Sequence, residues 1–229
     1  MGSATAVPLA AAGVGDVLQI AFRLFRATLL RSLPWSLLAV LVGHLPALAA
    51  PHTAFALSLT LLAGLINLWF WLLIALRQCN DQPLAADILQ AVHLLPRALG
   101  VIAASLVIVL LGAVALLLPG VYLAVACWPA FAVLVLEQSG VRASIDRSVQ
   151  LVRGHWWHTT ACLLVGLFLI FGFFVLGGLA GFALGDRLPS VLVTSLLAAF
   201  FQPLVAALGI SQVRALVARH NDSSASNSL

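Results

Sequence analysis

Six stretches of this chain run for the thickness of a bilayer with almost no charge, and that pattern constrains the fold more than any other feature. They lie at about 32–50, 54–76, 98–118, 121–136, 159–184 and 190–210. A hydrocarbon core of ~30 Å needs about 20 apolar residues in a helix. The fourth stretch is short and contains Pro129, which predicts a tilted, kinked or incomplete crossing. In lipid only helices and closed barrels satisfy every backbone N–H and C=O. These stretches lack the period-2 alternation of a barrel strand, so the fold class is all-α. Only 8% of the 229 residues are charged, against the roughly 25% of an ordinary soluble domain. Eighteen charged side chains cannot coat a water-soluble globule of this length.

Charge placement sets the expected topology. Every basic residue is Arg, and the absence of Lys excludes Schiff-base and lysine-nucleophile chemistry. Arg23, Arg26 and Arg31 precede span one, and Arg77 and Arg97 separate spans two and three. Arg142, Arg147 and Arg153 separate spans four and five, while Arg214 and Arg219 follow span six. All ten fall on one side of a six-span arrangement, and Arg187 alone falls on the other. Arginines resist translocation, so both termini are expected in the cytoplasm. The first residues lack the basic start of a signal peptide, so span one is expected to be an uncleaved anchor. Pro51-His52-Thr53, Pro119-Gly120 and the segment 185–189 read as tight turns on the outer side or between paired spans.

The polar links carry their own pattern. DVLQIAFRLFR (16–26) and DILQAVHLLPR (87–97) share a start and an end. At 100° per residue Asp16, Gln19, Arg23 and Arg26 fall on one arc, opposite Val17, Leu18, Ala21, Leu24 and Phe25. Asp87, Gln90, His93 and Arg97 repeat the polar arc. A third segment, VRASIDRSVQLVR, has a narrower stripe of Val141, Ile145, Val149 and Val152. These predict amphipathic interfacial helices at about 15–31, 84–97 and 141–155, lying in the headgroup plane. Each is followed by two spans, so the predicted single transmembrane domain, 1–220, is three units of interfacial helix plus hairpin. Residues 221–229 are polar and aperiodic, and a disordered tail is expected there.

The stretch 128–157, WPAFAVLVLEQSGVRASIDRSVQLVRGHWW, resembles a known signature. It is similar to the membrane domain associated with glycerophosphoryl diester phosphodiesterases and to its stand-alone bacterial relatives. The matching positions are Pro129, Glu137, Gly140, Ala143, Ser148, Leu151, Gly154, Trp156 and Trp157. The opening GDVLQIAFRLFRATLL resembles the family's first interfacial helix. The resemblance implies this fold, a bacterial inner membrane and a link to phospholipid or glycerophosphodiester biology. It implies no catalysis, because the activity of fused members resides in a separate soluble barrel domain.

Chemistry-bearing residues are few. His155 and His158 form an HxxH, but a metal would need two further ligands, and the adjacent Trp156 and Trp157 fit an aromatic interface belt. Glu137, Asp146 and Arg147 read as an ion-pair network more readily than as an acid–base set. Asn67 and Gln202 are the candidate polar pathway through the membrane, or else interhelical hydrogen-bond glue. Gly177, Gly181 and Gly185 have small-xxx-small spacing suited to close helix contact within the chain, with a second copy or with a partner. Scattered Cys79, Cys127 and Cys162 suggest core fillers. No metal, cofactor or nucleic-acid motif is present in the sequence.

The leading expectation is a non-enzymatic bacterial inner-membrane protein that binds or organises anionic lipid, or a membrane partner. Arg23, Arg26, Arg97, Arg142, Arg147 and Arg153 would form the binding face. A transporter or translocase for an apolar or lipid-like substrate is the alternative. An intramembrane phospholipid-processing enzyme, requiring His155, His158, Asp146 and Glu137 to converge, is the third.

Overall fold

The computed structural model describes residues 13–48, 53–115, 117–184 and 188–226. Among them every regular element is helical. The order is α1 (Val14–Gly43), a 3-10 turn (Leu45–Leu48), α2 (Ala54–Cys79), α3 (Leu84–Ala115), α4 (Leu117–Cys127), α5 (Ala130–Glu137), α6 (Val141–Val152), α7 (Trp156–Leu184) and α8 (Leu188–Ser226). Six stretches are long and apolar enough to cross a membrane: Val14–Gly43, Ala54–Cys79, Leu84–Val114, Leu118–Glu137, Trp156–Ala183 and Val191–Asp222. The all-α, six-helix, multi-pass expectation therefore holds. Arg187, the segment 185–187 and the turn residues Pro51 and His52 lie outside the described residues.

Three boundaries differ from the sequence prediction. The segments at 15–31 and 84–97 are not separate interfacial helices; α1 and α3 run through them unbroken, with Pro34 and Pro96 inside. At 1.5 Å per residue α1, α3 and α8 are about 45, 48 and 58 Å long, well beyond a ~30 Å core. Their polar ends therefore extend from the spans themselves. The reversal after α3 does not fall at Pro119-Gly120, because α4 already starts at Leu117. Pro119 sits in the first turn, where a missing N–H costs nothing. Finally, α8 continues to Ser226, so helix occupies 221–226, where a disordered tail is expected; residues 227–229 lie outside the described set.

Helix α1 buries a seam of mostly small residues, Val17, Ala21, Thr28, Ser32, Ser36 and Ala39, against its neighbours α8 and α2. Its hydroxyls remain satisfied within the helix: Thr28 donates to the Leu24 carbonyl (2.8 Å), Ser32 to Thr28 (3.0 Å) and Ser36 to Ser32 (3.2 Å). Polar atoms can then enter a dry interface without penalty. The stripe predicted from residues 17–25 is thus real, and its Val17 and Ala21 are buried in a cluster with Cys162 of α7 and Ala207, Leu208 and Ala215 of α8.

The fourth span is broken. Pro129 separates α4 from α5, and the buried Ser148 of α6 donates to the Ala126 carbonyl at the break (2.7 Å). Broken helices persist at membrane depth only where the protein supplies such a partner. Close approach of α3 and α4 depends on glycine: a Cβ on Gly120 would lie 2.7 Å from the Ala113 Cα. The main core joins Leu72, Leu73 and Leu76 of α2 to Ala91, Leu94 and Ala98 of α3, with Leu134 of α5 and Ile210 of α8. It sits in the half of the bundle that bears the arginines. Towards the other end the helices present apolar side chains outward, among them Phe55, Leu61, Phe174 and Phe182. That exterior suits hydrocarbon.

Candidate functional site

The arginine-bearing end is where the chain's polar chemistry collects. Arg77, closing α2, reaches the Asp87 carboxylate in the first turn of α3 (2.8 Å) and the Gln82 carbonyl (2.9 Å). The Asp87 side chain is fully buried and that of Arg77 is 14% exposed. Arg31 pairs with Asp81 at the surface. The two repeat aspartates therefore do different work. Asp16 accepts from the Gly13 N–H (2.8 Å) and caps α1, whereas Asp87 pins α2 to α3.

The six arginines proposed from sequence divide into two groups. Arg97 donates to the Gln138 carbonyl at the end of α5 (3.0 Å), where Gln138 adopts a left-handed conformation. Arg147 pairs with Glu137 (3.3 Å), tying α6 to α5. Both are engaged in holding the fold. Arg142 makes only an exposed i,i+4 contact with Asp146 (3.6 Å), which is worth little in water. The Arg26 guanidinium lies over the Phe22 ring, 6.0 Å from its centroid. Among the described residues, Arg23 and Arg153 make no side-chain ion pair or hydrogen bond. Of these six, Arg23, Arg26, Arg142 and Arg153 are thus the exposed cations available to a ligand.

No protein-family model, curated protein or solved structure matches the chain. What the site can do is accordingly read from its own geometry.

The carboxylates and histidines considered for catalysis are engaged separately. Glu137 and Asp146 contact Arg147 and Arg142 within the α5–α6 corner. His155, just before α7, lies in the field of Arg219 and His220 on α8. Burial pushes its pKa below the ordinary histidine range; Arg219 and His220 push the same way, against a hydrogen bond to the Arg153 backbone. Neutral imidazole is favoured there. Among the described residues, no three His, Cys, Asp or Glu side chains gather as a metal site.

Within the spans, Asn67 donates to the Ala39 carbonyl (3.2 Å), so it bonds α2 to α1. Gln202 has a buried amide oxygen without a partner, and neither residue lines the cavity of about 650 Å³ among α2, α3, α4, α5, α7 and α8. Gly177 faces Thr194 of α8 in the same chain, with 3.4 Å left for a Cβ, while Gly181 faces open space and Gly185 lies outside the described residues. Trp71, Ser105, Cys127, Phe131, Ile170 and Ile210 are among the residues lining that cavity.

Several polar residues that matter to the architecture escape a sequence reading. Gln78 donates to the Pro203 carbonyl (2.7 Å), and the Trp128 indole N–H donates to Gln212 (3.1 Å). Both link α8 to distant parts of the chain. Ser144 and Ser148 are buried on α6 beside Ile145, Leu151 and Val152, where hydropathy does not mark them as core. Their i,i+4 spacing next to Ile145 and Leu151 is the signal that could have revealed them.

Proposed function

We propose that the chain is a non-enzymatic bacterial inner-membrane protein, with both termini in the cytoplasm, that binds and organises anionic lipid through its arginine-bearing end. The observation that carries this reading is the set of exposed cations at that end. Arg23, Arg26, Arg142 and Arg153 have weak contacts or none within the protein, while Arg77, Arg97 and Arg147 are occupied. Each free arginine near an anionic leaflet adds about 1 kcal/mol of attraction. The stretch 128–157 supports kinship with the phosphodiesterase-associated membrane domain, and the segments 16–26 and 87–97 support a threefold repeat of polar segment plus hairpin.

The test is lipid mass spectrometry of the full chain purified in mild detergent from bacterial membranes. A triple variant, Arg26→Gln, Arg142→Gln and Arg153→Gln, is expected to lose the enrichment of anionic over zwitterionic phospholipid. Unchanged enrichment in a folded triple variant would overturn the proposal.

A second reading, passage of an apolar or lipid-like molecule, is favoured by the 650 Å³ cavity. Ile102 and Leu106 on its rim are 45% and 57% exposed, which opens it laterally towards hydrocarbon. Flux of a fluorescent lipid analogue in proteoliposomes that falls on Ala206→Trp would support it; equal flux in both proteins would count against it.

A further inference from the structure

A second opening lies where the polar end of α1 meets the flanks of α7 and α8. It is a groove of about 610 Å³, within the ~300–1,000 Å³ range typical of small-molecule sites. Helix α8 packs on both α1 and α7, whereas α1 and α7 scarcely touch, so α8 forms the floor. Val165 and Leu169 of α7 and Leu204 and Leu208 of α8 give it apolar walls. Gln19 and Arg23 of α1 stand on its rim.

The lining is almost wholly apolar, and Gln19 and Arg23 are its polar members. Gln19 and Arg23 are four residues apart on one helix, so an amide and a guanidinium project side by side. Both are exposed, and among the described residues neither has a hydrogen-bond or ion-pair partner in the protein. Asp16, the carboxylate on the same face of α1, lies one turn before Gln19 and two turns before Arg23, and it accepts from the Gly13 N–H. Val165 and Leu169 lie nine and thirteen residues into α7, about 14 and 20 Å at 1.5 Å per residue. That depth is roughly one leaflet of a ~30 Å hydrocarbon core.

We infer that the groove holds one anionic phospholipid, its phosphate on Arg23 and Gln19 and one acyl chain against Val165, Leu169, Leu204 and Leu208. This rests on the basic end being a lipid-binding face and assigns it a single built site. Charge complementarity selects an anion for Arg23 and Gln19, and the apolar walls, each about 6 Å along its helix, select part of an acyl chain. A free phosphate would leave those walls without a ligand. The exposed Phe22 beside the rim would cover the glycerol region, steadied by Arg26 over its ring.

The test uses the full chain in nanodiscs containing equal phosphatidylglycerol and phosphatidylcholine with identical acyl chains, read by native mass spectrometry after detergent transfer. Wild type is expected to retain one phosphatidylglycerol. Arg23→Gln is expected to bind it roughly fivefold more weakly, the effect of one arginine near an anionic headgroup. Val165→Phe fills the apolar wall and is expected to lower retention of both lipids; Leu169→Trp serves if Val165→Phe does not fold. Retention of one phosphatidylglycerol by folded Arg23→Gln at wild-type strength would overturn the inference. So would its retention by a folded groove-filling variant. The Arg26, Arg142 and Arg153 triple variant separates the two proposals. If it loses bulk enrichment while Arg23→Gln keeps the tightly held lipid, the groove assignment fails and the basic-face reading stands. The converse result retains the groove and overturns the broader face.

Discussion

Replacing Asp87 by Asn should destabilise the protein more than any conservative change at its surface charges. The Asp87 side chain is fully buried, and Arg77, 2.8 Å away, is 14% exposed. Asn keeps the shape and removes the charge, leaving a guanidinium with only the Gln82 carbonyl as a defined partner. Breaking a buried pair in this way costs roughly 3–5 kcal/mol, because desolvation of the remaining charge is no longer offset. The pair is also imperfect: Asp87 Oδ1 and Arg77 Nε are buried without partners. A joint replacement, Arg77→Met with Asp87→Leu, should therefore fall within about 1 kcal/mol of wild type, since both charges leave together. Asp81→Asn is the internal reference. Its partnership with Arg31 has side chains 91% and 50% exposed, and it should cost at most ~1 kcal/mol. The assay is reversible unfolding by increasing dodecyl sulfate fraction in mixed micelles, followed by helical circular dichroism. Single and double variants form a thermodynamic cycle. The reasoning is refuted if Asp87→Asn costs no more than Asp81→Asn, or if the double variant is as unstable as Asp87→Asn alone.

Two further outcomes follow from the packing and the electrostatics. Gly120→Leu should destabilise by at least ~1–3 kcal/mol in the same assay, since even a Cβ would enter the Ala113 backbone at 2.7 Å; wild-type stability would show that α3 and α4 do not cross so closely. The depressed pKa of His155 means the unfolded chain binds more protons between that value and the ordinary ~6.5, so stability contributed by the neutral ring is complete above ~6.5 and is lost as pH falls below it. His155→Gln should accordingly lose less stability than wild type between pH 7.5 and 5; parallel pH profiles would refute the assignment.

Much of the architecture was legible before any coordinates. Long uncharged stretches specify helices in lipid, and five of the six resulting spans lie within single helices while the fourth is divided at Pro129. The apolar arc of Val17, Leu18, Ala21, Leu24 and Phe25 was legible too, because helical periodicity fixes which residues share a face. Its partner was not. Leu208 and Ala215 lie far along the chain, and periodicity cannot distinguish a wall of acyl chains from a wall of helix. Ser144 and Ser148 show the same limit: hydropathy treats a hydroxyl as solvent-seeking, while Ser148 is buried and donates to the Ala126 carbonyl beside the Pro129 break.

The candidate site shows the division most clearly. Sequence alone indicated six apolar spans and predicted that ten of the eleven arginines share one side, because a bilayer sorts residues by transfer free energy and charge. Only the tertiary structure decided which arginines hold the fold and which remain open to a ligand. Asp16 and Asp87 occupy matching places in a repeated segment, yet one caps its own helix and the other is buried against Arg77. That difference arises from what packs around each carboxylate, a property of three-dimensional neighbours that a residue's place in the chain does not contain.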